Sequence, residues 1–221
     1  MSNAPFEVKD CALIALATGR RAQNIRELKE ILRSIDADSV YYHFWGTLLR
    51  PRFDNPQYHN DFAIWIAHQL HDKVLAERLA LLDPTDFDSV DQLRGEIIEI
   101  LEERAYELEF PAWSKGDEQF EFIRSQLVIF KTDTLIQKPV DFCTILPKLS
   151  VGSIFYHFID SRSRLPEGSD DFQNWLNGFD GAYKNLCTLI SELDPYFNSL
   201  SELREELAKI FTTYFAESVH E

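Results

Sequence analysis

Cysteine is scarce in this chain of 221 residues. Cys11, Cys143 and Cys187 make an odd number and include no CxxC pair. A disulfide scaffold and a thiolate zinc site are therefore both disfavoured, and a reducing cytoplasm is the plain expectation. Glycine and proline are also few, at 8 and 9, which argues against a turn-rich all-β fold. Positive charge is in short supply, since 22 Lys and Arg face 37 Asp and Glu for a formal charge of −15. Such a surface repels phosphate backbones and anionic headgroups, so neither nucleic acid nor a membrane surface is an expected partner. No apolar run has the length of a bilayer-spanning helix. The opening "MSNAPFEVKD" lacks the basic-then-apolar pattern of a secretion signal.

Aromatic and aliphatic side chains are plentiful. The hydrophobic fraction is 45%, with 17 Phe, 8 Tyr and 4 Trp, enough to bury the core of one large domain or two small ones.

The hexad "SVYYHF" at Ser39–Phe44 returns as "SIFYHF" at Ser153–Phe158. Laying Phe6 on Phe120, a shift of 120 − 6 = 114, gives a gapless match through to Phe44 on Phe158. After a shorter loop in the second copy the match resumes. "NDFAIW" faces "DDFQNW", "LALLDP" faces "LISELDP", and "DFDSVDQLRGEIIEIL" faces "YFNSLSELREELAKIF". The expected organisation is an internal duplication: copy one over 6–107, a linker over 108–119, and copy two over 120–217.

Each copy opens with a β-favourable run, "CALIALAT" or "SQLVIFKT". Four or five helices follow. Leu28, Ile31, Leu32 and Ile35 recur at helical spacing behind an Asn24–Glu27 capping box. Ser39 and Ser153 are expected to cap the hexad helices. The third helix is expected to break near His71, because Gly178 and Gly181 interrupt its counterpart. In the last helices Val90, Leu93, Ile97, Ile100 and Leu101 lie on one face, as do Leu200, Leu203, Leu207, Ile210 and Phe211. The fold class is thus mainly α, with a minor strand pair expected to join the copies across a pseudo-two-fold axis, since a lone buried strand leaves backbone groups unpaired.

A helix brings positions i, i+4 and i+7 to one side. His43, Thr47 and Arg50 share that spacing, as do His157, Ser161 and Arg164. One reading is a pair of ligand pockets. Arginine offers a planar fork to a carboxylate or phosphate, and histidine donates, accepts or titrates. Tyr42 and Tyr156 would add hydroxyls, and Trp65 and Trp175 an aromatic wall. The other reading, which we favour, makes the same residues core: each histidine bonds one buried carbonyl or carboxylate, and Arg50 or Arg164, near the helix end, binds terminal carbonyls or pairs with Asp61 or Asp171. Arg94 and Arg204, early in the last helices, are expected to reach Asp83 and Asp194 or the neighbouring loop.

Weaker constellations complete the survey. His43, His68 and His71 could ligate a metal, but Gly178 and Gly181 stand where His68 and His71 would recur. A Ser161–His157 nucleophile pair lacks an evident orienting acid, and there is no GxSxG, P-loop or GxGxxG. No cofactor is expected. The leading function is a non-catalytic module that binds a protein or small molecule; the alternative is a hydrolase-like enzyme acting on a small anionic or polyhydroxylated substrate.

The hexads, the Asp-Phe-x-x-Trp motifs, the Leu-Asp-Pro motifs and the Leu-Arg of the final helices together resemble an uncharacterised prokaryotic domain family of unknown function, in two tandem copies. The resemblance covers nearly the whole chain and implies a soluble bacterial or archaeal protein. It implies no reaction.

Overall fold

A computed structural model describes residues 4–50, 58–107, 116–165, 168–196 and 198–217. Most of the expected linker, 108–115, lies outside the described residues, as do residues 51–57. The chain is mainly helical with one antiparallel strand pair. In order it runs β1 (Phe6–Ala22), α1 (Ile25–Leu32), α2 (Ala37–Trp45), α3 (Asp61–Trp65), α4 (Lys73–Ala80) and α5 (Val90–Glu107). There follow β2 (Phe120–Ile136), α6 (Phe142–Ile145), α7 (Val151–Ile154), α8 (Ser161–Arg164), α9 (Asp171–Asn177), α10 (Lys184–Ser191) and α11 (Leu200–Glu217). Both strands are longer than the apolar runs that announce them, because Phe6, Val8, Phe120 and Phe122 continue the apolar alternation toward the N-termini and are buried.

Two compact units divide the chain, and the division falls inside both strands. One unit is Leu13–Gln126; the other joins the residues up to Ala12 to those from Leu127 onward. The first unit therefore holds the C-terminal half of β1, helices α1–α5 and the N-terminal half of β2. Its core is Leu28, Leu32, Val40, Phe44, Phe62, Leu75, Leu79, Ile97 and Phe122, all essentially inaccessible to solvent. Helix α5 packs on α1, α2 and α4. In the second unit, the N-terminal half of β1 and the C-terminal half of β2 join α6–α11. Phe142, Phe155, Phe158, Phe172, Leu186, Leu207 and Phe211 fill that core, and α11 packs on α6, α7 and α10.

Local signals account for the helix ends. Asn24 Oδ1 accepts the Glu27 N–H at 2.9 Å, and the Glu27 carboxylate reaches back to the Gln23 N–H. Ser89 and Ser199 cap α5 and α11 through the N–H groups of Gln92 and Glu202. His71 stops the third helical region with a left-handed backbone, φ 55°, whereas α9 ends at a right-handed Gly178 C-cap and the left-handed Asp180 and Gly181 lie in the turn beyond it. Pro139 occupies the first turn of a 3-10 segment that leads into α6. The hexad helices differ from expectation at their starts. Asp36 and Ser150 hold the N-cap positions, so Ser39 and Ser153 lie inside the first turn. Ser39 is fully buried, and its hydroxyl donates instead to the Ile123 carbonyl of β2 at 2.8 Å.

Candidate functional site

Helix α2 carries His43 into the core of the first unit, where the residue is 2% exposed. Its Nδ1 lies 2.8 Å from Asp61 Oδ2. Its Nε2 accepts the backbone N–H of Ile123 at 3.1 Å. A nitrogen that accepts an N–H carries a lone pair, so the ring is neutral with its proton on Nδ1, directed at the carboxylate. Burial pushes His43 below the ordinary imidazole range, outweighing the upward pull of Asp61. Arg50 completes the cluster with two bonds to Asp61, Nη1 to Oδ1 at 3.1 Å and Nη2 to Oδ2 at 2.7 Å. Its guanidinium also lies over the Tyr42 ring, 4.6 Å from the centroid. Burial would raise the Asp61 carboxyl, but the bonds from His43 and Arg50 hold it below the usual carboxylate range.

The second unit repeats the cluster. His157, 3% exposed, sets Nδ1 2.7 Å from Asp171 Oδ2, and its Nε2 accepts the Lys9 N–H of β1 at 2.8 Å. Arg164 lies over Tyr156, 4.3 Å from the centroid. Its Nη2 donates to Asp171 at 3.4 Å and to the Tyr156 carbonyl, and its Nε donates to Asp160 at 2.6 Å. The surrounding backbone is not the same. His43 sits in an α-helix that passes into a 3-10 turn, with Arg50 beyond it; His157 sits in a π-helical segment, Phe155–Asp160, that leads into α8. Simple i, i+4, i+7 geometry therefore does not describe the stripe, although both arginines still reach their aspartates.

The remaining candidates line the same cores. Thr47 Oγ donates to the carbonyls of Phe44 and His59, and Ser161 Oγ donates to the His157 carbonyl at 2.7 Å. Neither hydroxyl is bonded to an imidazole nitrogen. Trp65 packs on Phe120, centroids 5.6 Å apart, and donates its Nε1–H to the Glu118 carbonyl. Trp175 packs on Phe6 at 5.8 Å and donates to the Ala4 carbonyl. Tyr42 and Tyr156 are buried beneath their arginines. His68 and His71 are exposed while His43 is buried, and among the described residues no group of three or more His, Cys, Asp and Glu is placed to hold a metal ion. Arg94 pairs with Asp91 and Arg204 donates to the Leu149 carbonyl; those bonds do not go to Asp83 or Asp194.

Sequence reasoning missed which strand each histidine meets. His43 bonds β2, and His157 bonds β1. It also passed over Asp170, which is fully buried. Asp170 Oδ1 accepts the Gln173 N–H at 2.8 Å, while Oδ2 has no hydrogen-bond partner and Arg162 Nη2 stands 3.8 Å away. Desolvation pushes this carboxyl up to about 6, against the opposing pull of the Gln173 N–H and Arg162. The signal was in the sequence, because Asn60 of "NDFAIW" aligns with Asp170 of "DDFQNW".

Residues 3–212 match the profile described as "Family of unknown function (DUF5752)". A solved structure described as "The structure of OrfY from Thermoproteus tenax" is similar over 96% of this chain and 97% of its own, with a TM-score of 0.81 at 25% sequence identity. No curated protein matches the chain.

Proposed function

We propose, from the premise that the chain belongs to the DUF5752 family of unknown function, that it is a non-catalytic binding or interaction module, and that its two His–Asp–Arg clusters are clamps which hold strands to helices. One observation carries this reading: both ring nitrogens of each histidine are already occupied, one by an aspartate and the other by a strand N–H. A general base or metal ligand needs a nitrogen open to substrate or ion. These rings have none to offer, and the nearby hydroxyls donate to carbonyls. The N–H groups of Lys9 and Ile123 would otherwise lie unpaired beside buried aromatic rings, a cost of about 1–3 kcal/mol each.

The recurrence of this bonding at matched positions supports reading the chain as an internal duplication. The acidic composition and the scarcity of cysteine support a cytoplasmic protein that binds a protein or small molecule. A panel of small carboxylates, phosphates and polyols titrated against the full chain tests the module reading, monitored by the imidazole resonances. The clamp predicts that no compound moves the His43 and His157 ring signals. A compound that shifts both in a saturable way would restore the pocket.

A further inference from the structure

The N-terminal half of each strand has its outer edge covered. Lys9 N–H meets His157, and the N–H and C=O of Ile123 meet His43 and Ser39. The C-terminal half of β2 is different. Hydrogen-bonding direction alternates along a strand. The Thr134 N–H donates to Thr132 Oγ1, which in turn donates to the Val8 carbonyl of β1. The Phe122 carbonyl faces Thr18 of β1 while the N–H and C=O of Ile123 face away from it, so by the same alternation the backbone groups of Ile129, Lys131, Asp133 and Leu135 face away from β1. The stretch also displays apolar side chains, with Ile129 48%, Phe130 49% and Leu135 54% exposed. Lys131 and Asp133 are exposed and take part in none of the ion pairs of the described residues. A long, partly apolar open edge is a template for another strand.

The matching half of β1 is blunted. Where β2 has Asp133, Thr134 and Leu135, β1 has Gly19, Arg20 and Arg21. Gly19 has a φ of 76°, which breaks the regular edge, and the two arginines place charge where an incoming strand would lie. The same stretch of β2 has no positive-φ residue, and its two edge charges, Lys131 and Asp133, are of opposite sign, so a second copy can match them.

We propose that the outer edge of β2 over Ile129–Leu135 pairs antiparallel with the same edge of a second copy of this chain, about a two-fold axis at Thr132. Charge selects both the occupant and the register. With the axis at Thr132, each Lys131 stands opposite the Asp133 of the other chain, and each Ile129 opposite Leu135. Moving the axis one residue either way puts Lys131 against Lys131 or Asp133 against Asp133, which is unfavourable. The register at Thr132 also sets outward-facing residues opposite one another, as a hydrogen-bonded antiparallel pair requires. The inference goes beyond the clamp reading and does not depend on it.

Sedimentation velocity on the full chain over a concentration series tests it. The wild type is expected to form a reversible dimer. Lys131→Asp and Asp133→Lys each turn both symmetric attractions into repulsions and should weaken the dimer roughly tenfold. The double variant Lys131→Asp/Asp133→Lys restores complementarity and should return to the wild-type constant. Circular dichroism should be the same for all four proteins, since both side chains are exposed. A wild type that stays monomeric at every concentration would overturn the proposal. So would a dimer indifferent to the single reversals, which would use another surface, or a double variant as weak as the singles.

Discussion

Asp170 has a carboxylate where Asn60, the residue it aligns with, has an amide. Asn60 spends both ends of its side chain, capping Ala63 N–H and donating to the Leu79 carbonyl at 2.9 Å. Asp170 repeats the cap alone and leaves Oδ2 buried without a bond. Its folded pKa, about 6, lies above the ordinary value of 3.8. Folding therefore favours the protonated form: the stabilising contribution is complete below about pH 4 and is lost as the pH rises through 6. Asp170→Asn should accordingly raise the unfolding free energy by about 2 kcal/mol at pH 8, with the gain shrinking toward zero near pH 4. Thermal melts of both proteins across that range measure it. His43 and Asp61 work in the opposite direction. Both are held below their ordinary values, so their contribution is present near neutrality and declines with acid, first below the imidazole range and then below the carboxylate range.

Among the elements, the close approach of α7 to β1 depends on a missing side chain. A Cβ at Gly152 would meet Asp10 Oδ1 and stand 2.5 Å from the Cys11 carbonyl, the stretch of β1 that also receives His157. Gly152→Ala should cost about 2 kcal/mol or more by forcing helix and strand apart. Gly95, inside α5, would meet nothing within 4 Å, so Gly95→Ala should stabilise by roughly 0.5–1 kcal/mol. Denaturant titrations of the two variants give the opposed signs. Elements with strong local grammar were readable in the sequence: the capped and amphipathic α5 and α11, the Asn24 cap, the stop at His71, and the pairing of Arg50 with Asp61. Features decided by tertiary bonding were not. Ser39 looks like a cap, but the strand carbonyl of Ile123 claims its hydroxyl. Nothing in "FYHFID" distinguishes its π-helical path from the α-helix of "YYHFW".

For the molecule as a whole, the internal sequence match and the compact units divide the chain differently. Alignment divides the chain near 107 and 120, while packing divides it inside the two strands. Phe6 packs with Phe142, Phe172 and Trp175, and Phe120 with Phe62 and Trp65. Each histidine cluster thus takes its strand from a part of the chain remote from its own helix, His43 from β2 and His157 from β1. Periodicity could not reveal this, because it reports which face of an element is apolar and not which partner covers it. The clamp ties that pairing to chemistry, since the strand N–H received by each Nε2 fixes the ring as the neutral Nδ1–H form. Long-range nitrogen–proton correlation spectra of the imidazoles, recorded on the full chain, test this most directly. The account predicts a protonated Nδ1 and an unprotonated, hydrogen-bonded Nε2 in both His43 and His157, with His43 unchanged as the pH passes through 6.5. A protonated Nε2 on either ring at neutral pH, or a His43 that titrates at the ordinary imidazole value, would contradict it.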